Sequence, residues 1–167
     1  LSKILSSGMR LAVTVGPTEL IDTLVTMKQA TDLCTSTTTQ WIAADWLANN
    51  DLSDHLKKLR KYYKENRDAM LEEMERSFPD VENLTWTEPN GGLFIWVTLP
   101  EGVDAENLFK QGLKENVAFV PGHHFYVDDG GENTMRLSYS LLNPDEIREG
   151  IRRLGRVIEH ELSPISQ

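Results

Sequence analysis

The feature that most constrains this fold is a long amphipathic stretch that begins at Ser53 and ends before Pro79. Its apolar residues recur mainly at intervals of three and four, which places them on one face of an α-helix. They are Leu56, Leu59, Tyr63, Met70, Met74 and Phe78. Such a helix would span about 38 Å at about 1.5 Å per residue, which is long enough to connect two lobes. We predict one helix with Ser53 as its N-cap and with its apolar stripe in a core.

The residues before this helix predict one strand and two shorter helices. The apolar run 11–15 is closed by Gly and Pro at 16–17, which is typical of a buried strand that ends in a turn. Thr18 is the predicted cap of the next helix. That helix should end at the Ser/Thr-rich run 35–39, because these side chains compete for backbone hydrogen bonds. A second short helix is expected over residues 40–48.

The residues after the long helix predict a sheet and two further helices. Residues 93–99 are apolar at both alternating sets of positions, which predicts a strand covered on both faces. Residues 117–120 predict a second strand. Residues 134–141 predict a third, because apolar and polar residues alternate there. The apolar side of this third strand consists of Met135, Leu137, Tyr139 and Leu141. Asp104 and Asn143 are predicted N-caps, and the proline and acid that follow Asn143 complete a capping box.

Length and composition narrow the class of protein. A chain of 167 residues with 40% hydrophobic content can bury one core, or one lobe and part of another. A formal net charge of −9 argues against a surface for nucleic acid or anionic membranes. The single cysteine, Cys34, excludes an internal disulfide and suits a reducing cytoplasm. No apolar run has the length of a membrane helix, and the start at Leu1 indicates a piece of a longer chain.

Chemically active residues are concentrated in the first ten positions. Lys3 and Arg10 flank a loop rich in serine and glycine, which offers hydroxyls and backbone N–H groups to an anion. The guanidinium of Arg10 can pair with two oxygens of a phosphate. The amine of Lys3 can form a Schiff base with an aldehyde. Pyridoxal phosphate carries both an aldehyde and a phosphate, whereas the plainer alternative is a surface loop with two cations.

A second candidate lies on the polar side of the third predicted strand. Arg136 is flanked there by Ser138 and Ser140. Its permanently charged, planar guanidinium matches the two oxygens of a carboxylate. The plainer alternative is a surface arginine that pairs with a nearby glutamate.

Four segments together resemble a known family. They are Ser2-Lys3 with Gly8-Met9-Arg10-Leu11, Gly91-Gly92-Leu93-Phe94-Ile95-Trp96, Pro121-Gly122-His123-His124-Phe125 and Met135-Arg136-Leu137-Ser138-Tyr139-Ser140. In this order and spacing they are similar to the fold-type I pyridoxal-phosphate aminotransferases. The resemblance is nearest to the 2-aminoadipate and kynurenine aminotransferase branch, and it covers nearly the whole chain.

The resemblance implies a role for five residues. Lys3 would hold pyridoxal 5′-phosphate and move the proton at the substrate α-carbon, first as a base and then as an acid. Ser2 and Arg10 would bind the cofactor phosphate. Arg136 would bind the substrate α-carboxylate, and Phe94 would border the substrate pocket. The expected reaction converts an amino acid of the 2-aminoadipate or aromatic type into its 2-oxo acid, with 2-oxoglutarate as the acceptor.

The resemblance also implies the architecture. The fold class is α/β, and the chain would be the C-terminal part of a pyridoxal-phosphate-dependent transferase fold. Residues 1–52 would end the large cofactor-binding domain, 53–79 would be the connecting helix, and 80–167 would form a small α+β domain with an antiparallel sheet. In this family the acid at the pyridinium nitrogen, the ring-stacking aromatic residue and the phosphate loop all precede the lysine. The resemblance also implies that the full protein is a homodimer, and the cysteine usage predicts that it is cytoplasmic. Because those groups precede Lys3, this piece is expected to be inactive alone.

Two other functions stay open. The first is a transcriptional regulator in which an aminotransferase-like domain senses an amino acid or cofactor behind a DNA-binding module. The second is a structural module that folds alone and binds no aldehyde. Upstream sequence would separate the regulator from the enzyme, because a basic helix-turn-helix would precede Leu1 in the regulator.

Two further features of the sequence are interpreted as inactive. No metal is expected at His123 and His124, because adjacent residues of an extended segment point to opposite sides and no acid lies at ligand spacing. Both are expected to be loop residues near the pocket mouth. Cys34 has no basic neighbour that would lower its pKa, so an inert thiol is expected.

Overall fold

The structure, a computed structural model, describes residues 1–163 and divides into two compact units. Unit 1 is Leu1–Leu59 and unit 2 is Arg60–Gln167. The helices are α1 Thr18–Thr31, α2 Thr37–Asn49, α3 Leu52–Ser77, α4 Ala105–Lys114 and α5 Pro144–Leu162. The strands are β1 Thr85–Trp86, β2 Phe94–Thr98, β3 Val120–Pro121 and β4 Thr134–Ser138. No helix within residues 1–163 is both long and apolar enough to cross a membrane.

The sheet of unit 2 has four strands in the order β1-β2-β4-β3, and every neighbouring pair is antiparallel. In its centre Trp96 of β2 lies opposite Arg136 of β4, and Phe94 lies opposite Ser138. Val120 of β3 lies opposite Arg136 on the other side. Opposed residues in a sheet project to the same face. The register therefore places Phe94, Trp96 and Arg136 together on one face.

The other face of this sheet packs into the core of unit 2. Buried apolar residues from α3, α4 and α5 join those of β2 and β4 in one cluster. Its fully buried members include Met74, Ile95, Val97, Leu108, Met135, Leu154 and Ile158. Removing such side chains from water is the main favourable term in folding, at about 25 cal/mol per Å² of apolar surface. The predicted apolar stripe of the long helix is thus confirmed as core over Met70, Met74 and Phe78.

The helix ends of unit 2 follow the sequence signals closely. The Asp104 side chain accepts a hydrogen bond from the backbone N–H of Glu106 at the start of α4. The Asn143 side chain accepts from the N–H groups of Asp145 and Glu146, and Glu146 accepts in return from the N–H of Asn143. Both predicted caps are confirmed, including the capping box.

Helices α3 and α5 are joined by one partly buried ion pair. Glu73 of α3 is almost fully buried and accepts hydrogen bonds from Ser77 Oγ at 2.9 Å and from Arg152 Nε and Nη2 of α5 at 3.1 and 3.2 Å. Burial alone would raise the pKa of Glu73, but these hydrogen bonds and the charge of Arg152 outweigh burial and hold the pKa below its ordinary value. Helices α3 and α5 also approach closely at Gly155. Gly155 of α5 lies against the Ser77 carbonyl, where any Cβ would overlap that oxygen.

Unit 1 contains little buried surface. Within it only Leu11 and Ala43 are buried apolar residues. The predicted strand over residues 11–15 is wrong for this structure: the segment has no regular structure, and Val15 is 91% exposed. A strand needs a neighbour for its backbone hydrogen bonds, and no strand within residues 1–59 supplies one.

Several predicted boundaries also need correction. Pro17, not Thr18, occupies the N-cap of α1, and Asp51, not Ser53, caps α3 by accepting from the N–H groups of Ser53 and Asp54. Helix α2 begins at Thr37, inside the Ser/Thr-rich run, and the Thr39 hydroxyl donates to the Ser36 carbonyl at 2.9 Å. The strand predicted over 117–120 is reduced to the two residues of β3, which pair with Arg136 and Met135 of β4.

The predicted burial of two strands is also partly wrong. Strand β2 is buried on one face only, and Phe94 on its other face is 37% exposed. Strand β4 ends at Ser138, so Leu141 falls beyond it and is exposed instead of continuing the buried side. Alternation identified the faces of β4 correctly through Leu137, but it could not show where the pairing with β2 stops.

Candidate functional site

Residues 1–11 of unit 1, named here the lysine loop, form a closed turn. The Leu1 nitrogen lies 2.6 Å from the Leu11 carbonyl oxygen, so the two ends of the loop meet. Inside it the N–H groups of Ile4 and Leu5 donate to the Leu1 carbonyl at 3.1 and 2.9 Å. The loop is therefore held by its own backbone, which leaves its side chains available for other contacts.

The three candidate cofactor residues all lie in the lysine loop. Lys3 is exposed and, among the residues that the structure describes, no carboxylate pairs with it. Ser2 precedes it and is half-buried. Arg10 has left-handed backbone dihedrals (φ 49°, ψ 39°), and its Nη1 donates to the Ser7 carbonyl at 3.4 Å. Two uncompensated cations and several hydroxyls in one small loop match an anionic group such as a phosphate.

A histidine outside the loop anchors it. His55, in the first turn of α3, places Nε2 2.6 Å from the carbonyl oxygen of Ile4, the residue after Lys3. The His55 ring also packs edge-on against Trp46 of α2, with centroids 5.0 Å apart. Sequence reasoning missed His55, because a lone histidine 51 positions away carries no local signal of this contact.

Arg136 in unit 2 is held between two aromatic rings. Its guanidinium carbon lies 4.1 Å from the centre of the Phe94 ring and 4.4 Å from the centre of the Phe125 ring. Phe125 also packs edge-on against Trp96 at 5.6 Å. Stacking on aromatic faces fixes the plane of a guanidinium without using its N–H donors. Those donors stay available to a planar anion such as a carboxylate.

Phe94 is thus placed beside Arg136, as a residue that borders a carboxylate site would be. Phe125 was not predicted as a site residue from the sequence, although it belongs to the segment Pro121-Gly122-His123-His124-Phe125. The hydroxyls of Ser138 and Ser140 lie 3.0 Å apart, so they hydrogen-bond to each other at the C-terminal end of the strand. The structure thus joins Phe94 and Arg136 on one sheet face, and it joins Ser2, Lys3 and Arg10 in one loop.

Buried polar contacts support the end of β4 that follows Arg136. Asn66 of α3 is fully buried, and its Nδ2 donates at 2.9 Å to the carbonyls of both Tyr139 and Leu142. The Tyr139 hydroxyl donates to the Gly91 carbonyl at 3.2 Å, and burial raises the pKa of that hydroxyl. These bonds tie α3 and the Gly91 turn to β4, so they fix the strand from which Arg136 projects.

An open cleft of about 580 Å³ lies next to these contacts. It is lined by Arg60, Tyr63, Lys64, Arg67, Asn90, Gly91, Gly92 and Tyr139. Hydrogen bonding from Lys64, and then from Arg67, lowers the pKa of Asp68 even though burial opposes the shift. Arg67 also donates to the Pro89 carbonyl at 3.0 Å. Of the cleft's cations, Lys64 and Arg67 therefore already have partners in Asp68 and Pro89.

The two histidines of the third motif are not arranged as expected. They lie in a 3₁₀ turn, Gly122–Phe125, and not in an extended segment. Their ring centroids are 3.9 Å apart, so the side chains lie on the same side. An acid, Glu106 of α4, also lies beside them, although it is distant in sequence. The argument from an extended segment is therefore wrong, and the argument from sequence spacing did not take account of an acid brought close by the fold.

Comparison with known proteins identifies the family. Residues 1–154 match the family described as aminotransferase class I and II. The chain is 44% identical over 158 residues to a 2-aminoadipate transaminase of Thermus thermophilus, covering 95% of this chain and 39% of that protein. This chain belongs to the class I and II aminotransferase family. The resemblance found in the sequence is thereby confirmed.

A solved structure supports the same assignment at the level of fold. The α-aminoadipate aminotransferase of Thermus thermophilus, solved with N-(5′-phosphopyridoxyl)-L-leucine, superposes with a TM-score of 0.92 at 43% identity. The match covers 96% of this chain and 41% of that one. The predicted fold class, the C-terminal part of a pyridoxal-phosphate-dependent transferase fold, is confirmed.

The chain is also similar to a protein of a different kind. An uncharacterized HTH-type transcriptional regulator of Bacillus subtilis is 37% identical over 152 residues, covering 90% of this chain and 30% of that protein. The chain spans about 40% of the length of its aminotransferase relatives and less of this regulator. Its fold is therefore shared by proteins named as enzymes and proteins named as regulators.

Proposed function

We propose that this chain is the C-terminal part of a pyridoxal-phosphate-dependent aminotransferase. The reaction would convert an amino acid of the 2-aminoadipate or aromatic type into its 2-oxo acid, with 2-oxoglutarate as the amino acceptor. The observation that supports this best is the lysine loop, which presents an unpaired amine beside hydroxyls and an arginine. The similarity to a 2-aminoadipate transaminase supports the first substrate type, and the aromatic rings around Arg136 support the second.

The donor set of the lysine loop fits pyridoxal phosphate. Lys3 would hold the cofactor aldehyde through its amine, and Ser2 and Arg10 would bind the phosphate. The bound cofactor supplies an electron-accepting ring that allows a bond at the substrate α-carbon to be broken. After the substrate amine has displaced it from the cofactor, the free amine of Lys3 would take the proton from that carbon as a base and then donate a proton to the cofactor carbon as an acid. The His55 contact at Ile4 would limit the movement of the loop while the amine does this.

Arg136 would bind the α-carboxylate of the amino acid. The rings of Phe94 and Phe125 hold its guanidinium plane, so little side-chain entropy remains to be lost when the substrate binds. Phe94, which is partly exposed, would also contact the substrate side chain.

The whole protein is proposed to be a cytoplasmic homodimer. The cofactor domain would end within 1–52, the connecting helix would be 53–79, and the small domain would be 80–167. The acid at the pyridinium nitrogen and the ring-stacking residue would lie in the part that precedes Lys3. For this reason the 167-residue piece alone would not transaminate.

The test is a panel of amino donors assayed with 2-oxoglutarate on the whole protein, with Arg136→Ala and the control Arg156→Ala. Arg156 is exposed on α5. Loss of a charged hydrogen-bonding partner costs on the order of 2 to 4 kcal/mol, so kcat/KM for the best donor should fall about 30- to 1000-fold in Arg136→Ala. Cofactor content should be unchanged in both variants. A near-normal kcat/KM in Arg136→Ala would refute the carboxylate role.

A second candidate function is a sensor domain of a transcriptional regulator, and the similarity to the HTH-type regulator favours it. In that case pyridoxal phosphate or an amino acid would bind at the same residues without efficient turnover. The sequence that precedes Leu1 decides between the two. A basic helix-turn-helix there, together with DNA binding that responds to the ligand, would replace the enzyme assignment.

A further inference from the structure

We propose that Glu106, His123 and His124 form a binding site in unit 2 for a divalent transition-metal ion of the zinc type. Each residue offers one ligand atom, and the three atoms all lie within 4.8 Å of one another. The site is separate from the lysine loop and does not depend on the proposed aminotransferase function.

The two histidines are presented by a rigid turn. The turn Gly122–Phe125 packs so closely on β4 that a Cβ on Gly122 would overlap the side chain and backbone of Thr134. The N–H of Tyr126 closes the turn by donating to the His123 carbonyl at 3.2 Å. A glycine is therefore required at 122, and the backbone that carries both imidazoles has little freedom to move.

Glu106 comes from a second fixed element. It lies in the first turn of α4, where its backbone N–H donates to the Asp104 cap at 2.8 Å. The first turn of α4 is anchored in the core by its neighbours Ala105 and Leu108, which are fully buried. The N–H of Ala105 also donates to the Glu132 carbonyl at 2.7 Å, which ties the helix start to the residues before β4. The carboxylate thus meets the imidazoles because two anchored elements converge.

The donor set selects the class of ion. Two imidazole nitrogens and one carboxylate oxygen form a common three-residue zinc set, with a fourth position left for water. Zinc–ligand bonds of about 2.1 Å in a tetrahedron place ligand atoms about 3.4 Å apart. The ligand atoms lie within 4.8 Å of one another and would have to approach to that value on binding; His124 is exposed and Glu106 is only partly buried, so both side chains have room to rotate. Magnesium and calcium prefer sets made entirely of oxygen, so they should bind poorly here.

The experiment is a calorimetric titration of the full chain with zinc chloride in a buffer that does not bind metal. Wild type should take one zinc ion per chain at this site, and magnesium should give no saturable signal. His123→Gln, His124→Gln and Glu106→Gln should each weaken zinc binding by at least about 10-fold, because each removes one of three protein ligands.

Matched controls use other side chains of the same types. His160→Gln replaces an exposed histidine near the end of α5, and Glu101→Gln replaces an exposed glutamate before α4. Cys34→Ser removes the exposed thiol, which could bind zinc by itself. None of the three should change the affinity of the site. Circular dichroism should be unchanged in His124→Gln, because His124 is exposed.

The outcome that overturns the proposal is equally specific. If wild type shows no saturable zinc binding, or if binding survives replacement of both histidines, the cluster is only a pair of packed surface histidines near an acid. If Cys34→Ser abolishes all binding, the thiol is the ligand. These results would leave the proposed transamination untouched, because no residue of the cluster has a part in it.

Discussion

Units 1 and 2 both contain many apolar residues, but they bury them to very different extents. Unit 2 collects apolar residues from three helices and two strands into one core, with Met74, Leu108, Met135 and Leu154 fully buried. Unit 1 buries only Leu11 and Ala43, while its helices expose many large apolar side chains. These include Leu20, Leu24, Val25, Met27, Trp41, Ile42 and Leu47.

The difference shows what each unit needs in order to be stable. A core like that of unit 2 can offset the conformational entropy lost on folding. Unit 1 leaves many large apolar side chains exposed, and contiguous surfaces of this kind mark places where other protein packs. We therefore expect unit 1 to be covered in the whole protein by the rest of the large domain. This expectation agrees with a chain that spans about 40% of its aminotransferase relatives.

The largest expected effect compares two methionines. Met74→Ala should destabilise the protein by about 2–5 kcal/mol, because it opens a cavity in the core of unit 2. Met27→Ala in unit 1 should change the free energy of unfolding of the 167-residue chain by less than about 0.5 kcal/mol, because Met27 is 62% exposed. Urea unfolding measures both. Equal losses would mean that the two units do not differ as described.

A smaller effect is expected at the ion pair between α3 and α5. Arg152→Ala should cost about 1–3 kcal/mol of unfolding free energy, because it leaves the buried Glu73 carboxylate without its charged partner. The matched surface pair is Lys57 with Asp54 on α3, where both side chains are mostly exposed. Lys57→Ala should cost less than about 1 kcal/mol. A cost at Lys57 as large as that at Arg152 would contradict the burial argument.

The same pair predicts a dependence on pH. The pKa of Glu73 in the folded protein is lowered from its ordinary value of 4.5. Its contribution to stability is therefore fully present above pH 4.5 and is lost as pH falls through the lowered pKa. In Glu73→Gln the unfolding midpoint in urea should change less between pH 5 and pH 3 than in wild type. If the unfolding midpoint of Glu73→Gln changed between pH 5 and pH 3 as much as that of wild type, other carboxylates would account for the acid sensitivity.

A kinetic prediction tests the ring stack in unit 2. Phe125→Ala should lower kcat/KM for the amino acid by about 2- to 30-fold, because a cation–π contact of about 0.5–2 kcal/mol no longer orients Arg136. Phe125→Tyr keeps the ring face and should retain nearly full activity. If both variants behave alike, the stack does not position the guanidinium.

The smallest expected effect concerns the anchor of the lysine loop. His55→Ala removes the contact to the Ile4 carbonyl, which should cost about 1 kcal/mol locally. Hydrogen exchange of the Leu5 amide should then become about fivefold faster, because that amide is bonded inside the loop. His160→Ala is the control and should have no effect. Unchanged exchange in His55→Ala would mean that the loop is held by its own backbone alone.

Features with local causes were predictable from the sequence. The caps at Asp104 and Asn143 follow from residues within three positions, and the buried side of β4 follows from its alternation through Leu137. The position of α5 was also correct for the same reason. Features that depend on distant neighbours were not predictable. Residues 11–15 have the pattern of a strand but no partner strand within the described residues.

The candidate site divides in the same way. Lys3, Arg10 and Arg136 could be named because their residue types and short-range neighbours point to phosphate and carboxylate. Their catalytic and binding roles remain predictions. Phe125 and His55 could not be named, since their contacts with Arg136 and Ile4 come from the tertiary fold. The cluster of Glu106 with the two histidines escaped for that reason too, because α4 and the histidine turn are far apart in sequence.

The most direct test of the central claim is to map the attachment of pyridoxal phosphate in the whole protein. Reduction with borohydride makes the bond between cofactor and lysine permanent, and digestion followed by mass spectrometry then locates it. We predict a pyridoxyl group on Lys3 and on no other lysine of this chain, and Lys3→Arg should abolish the labelling. A pyridoxyl group on a different lysine, or no labelling of a protein that still transaminates, would contradict the assignment.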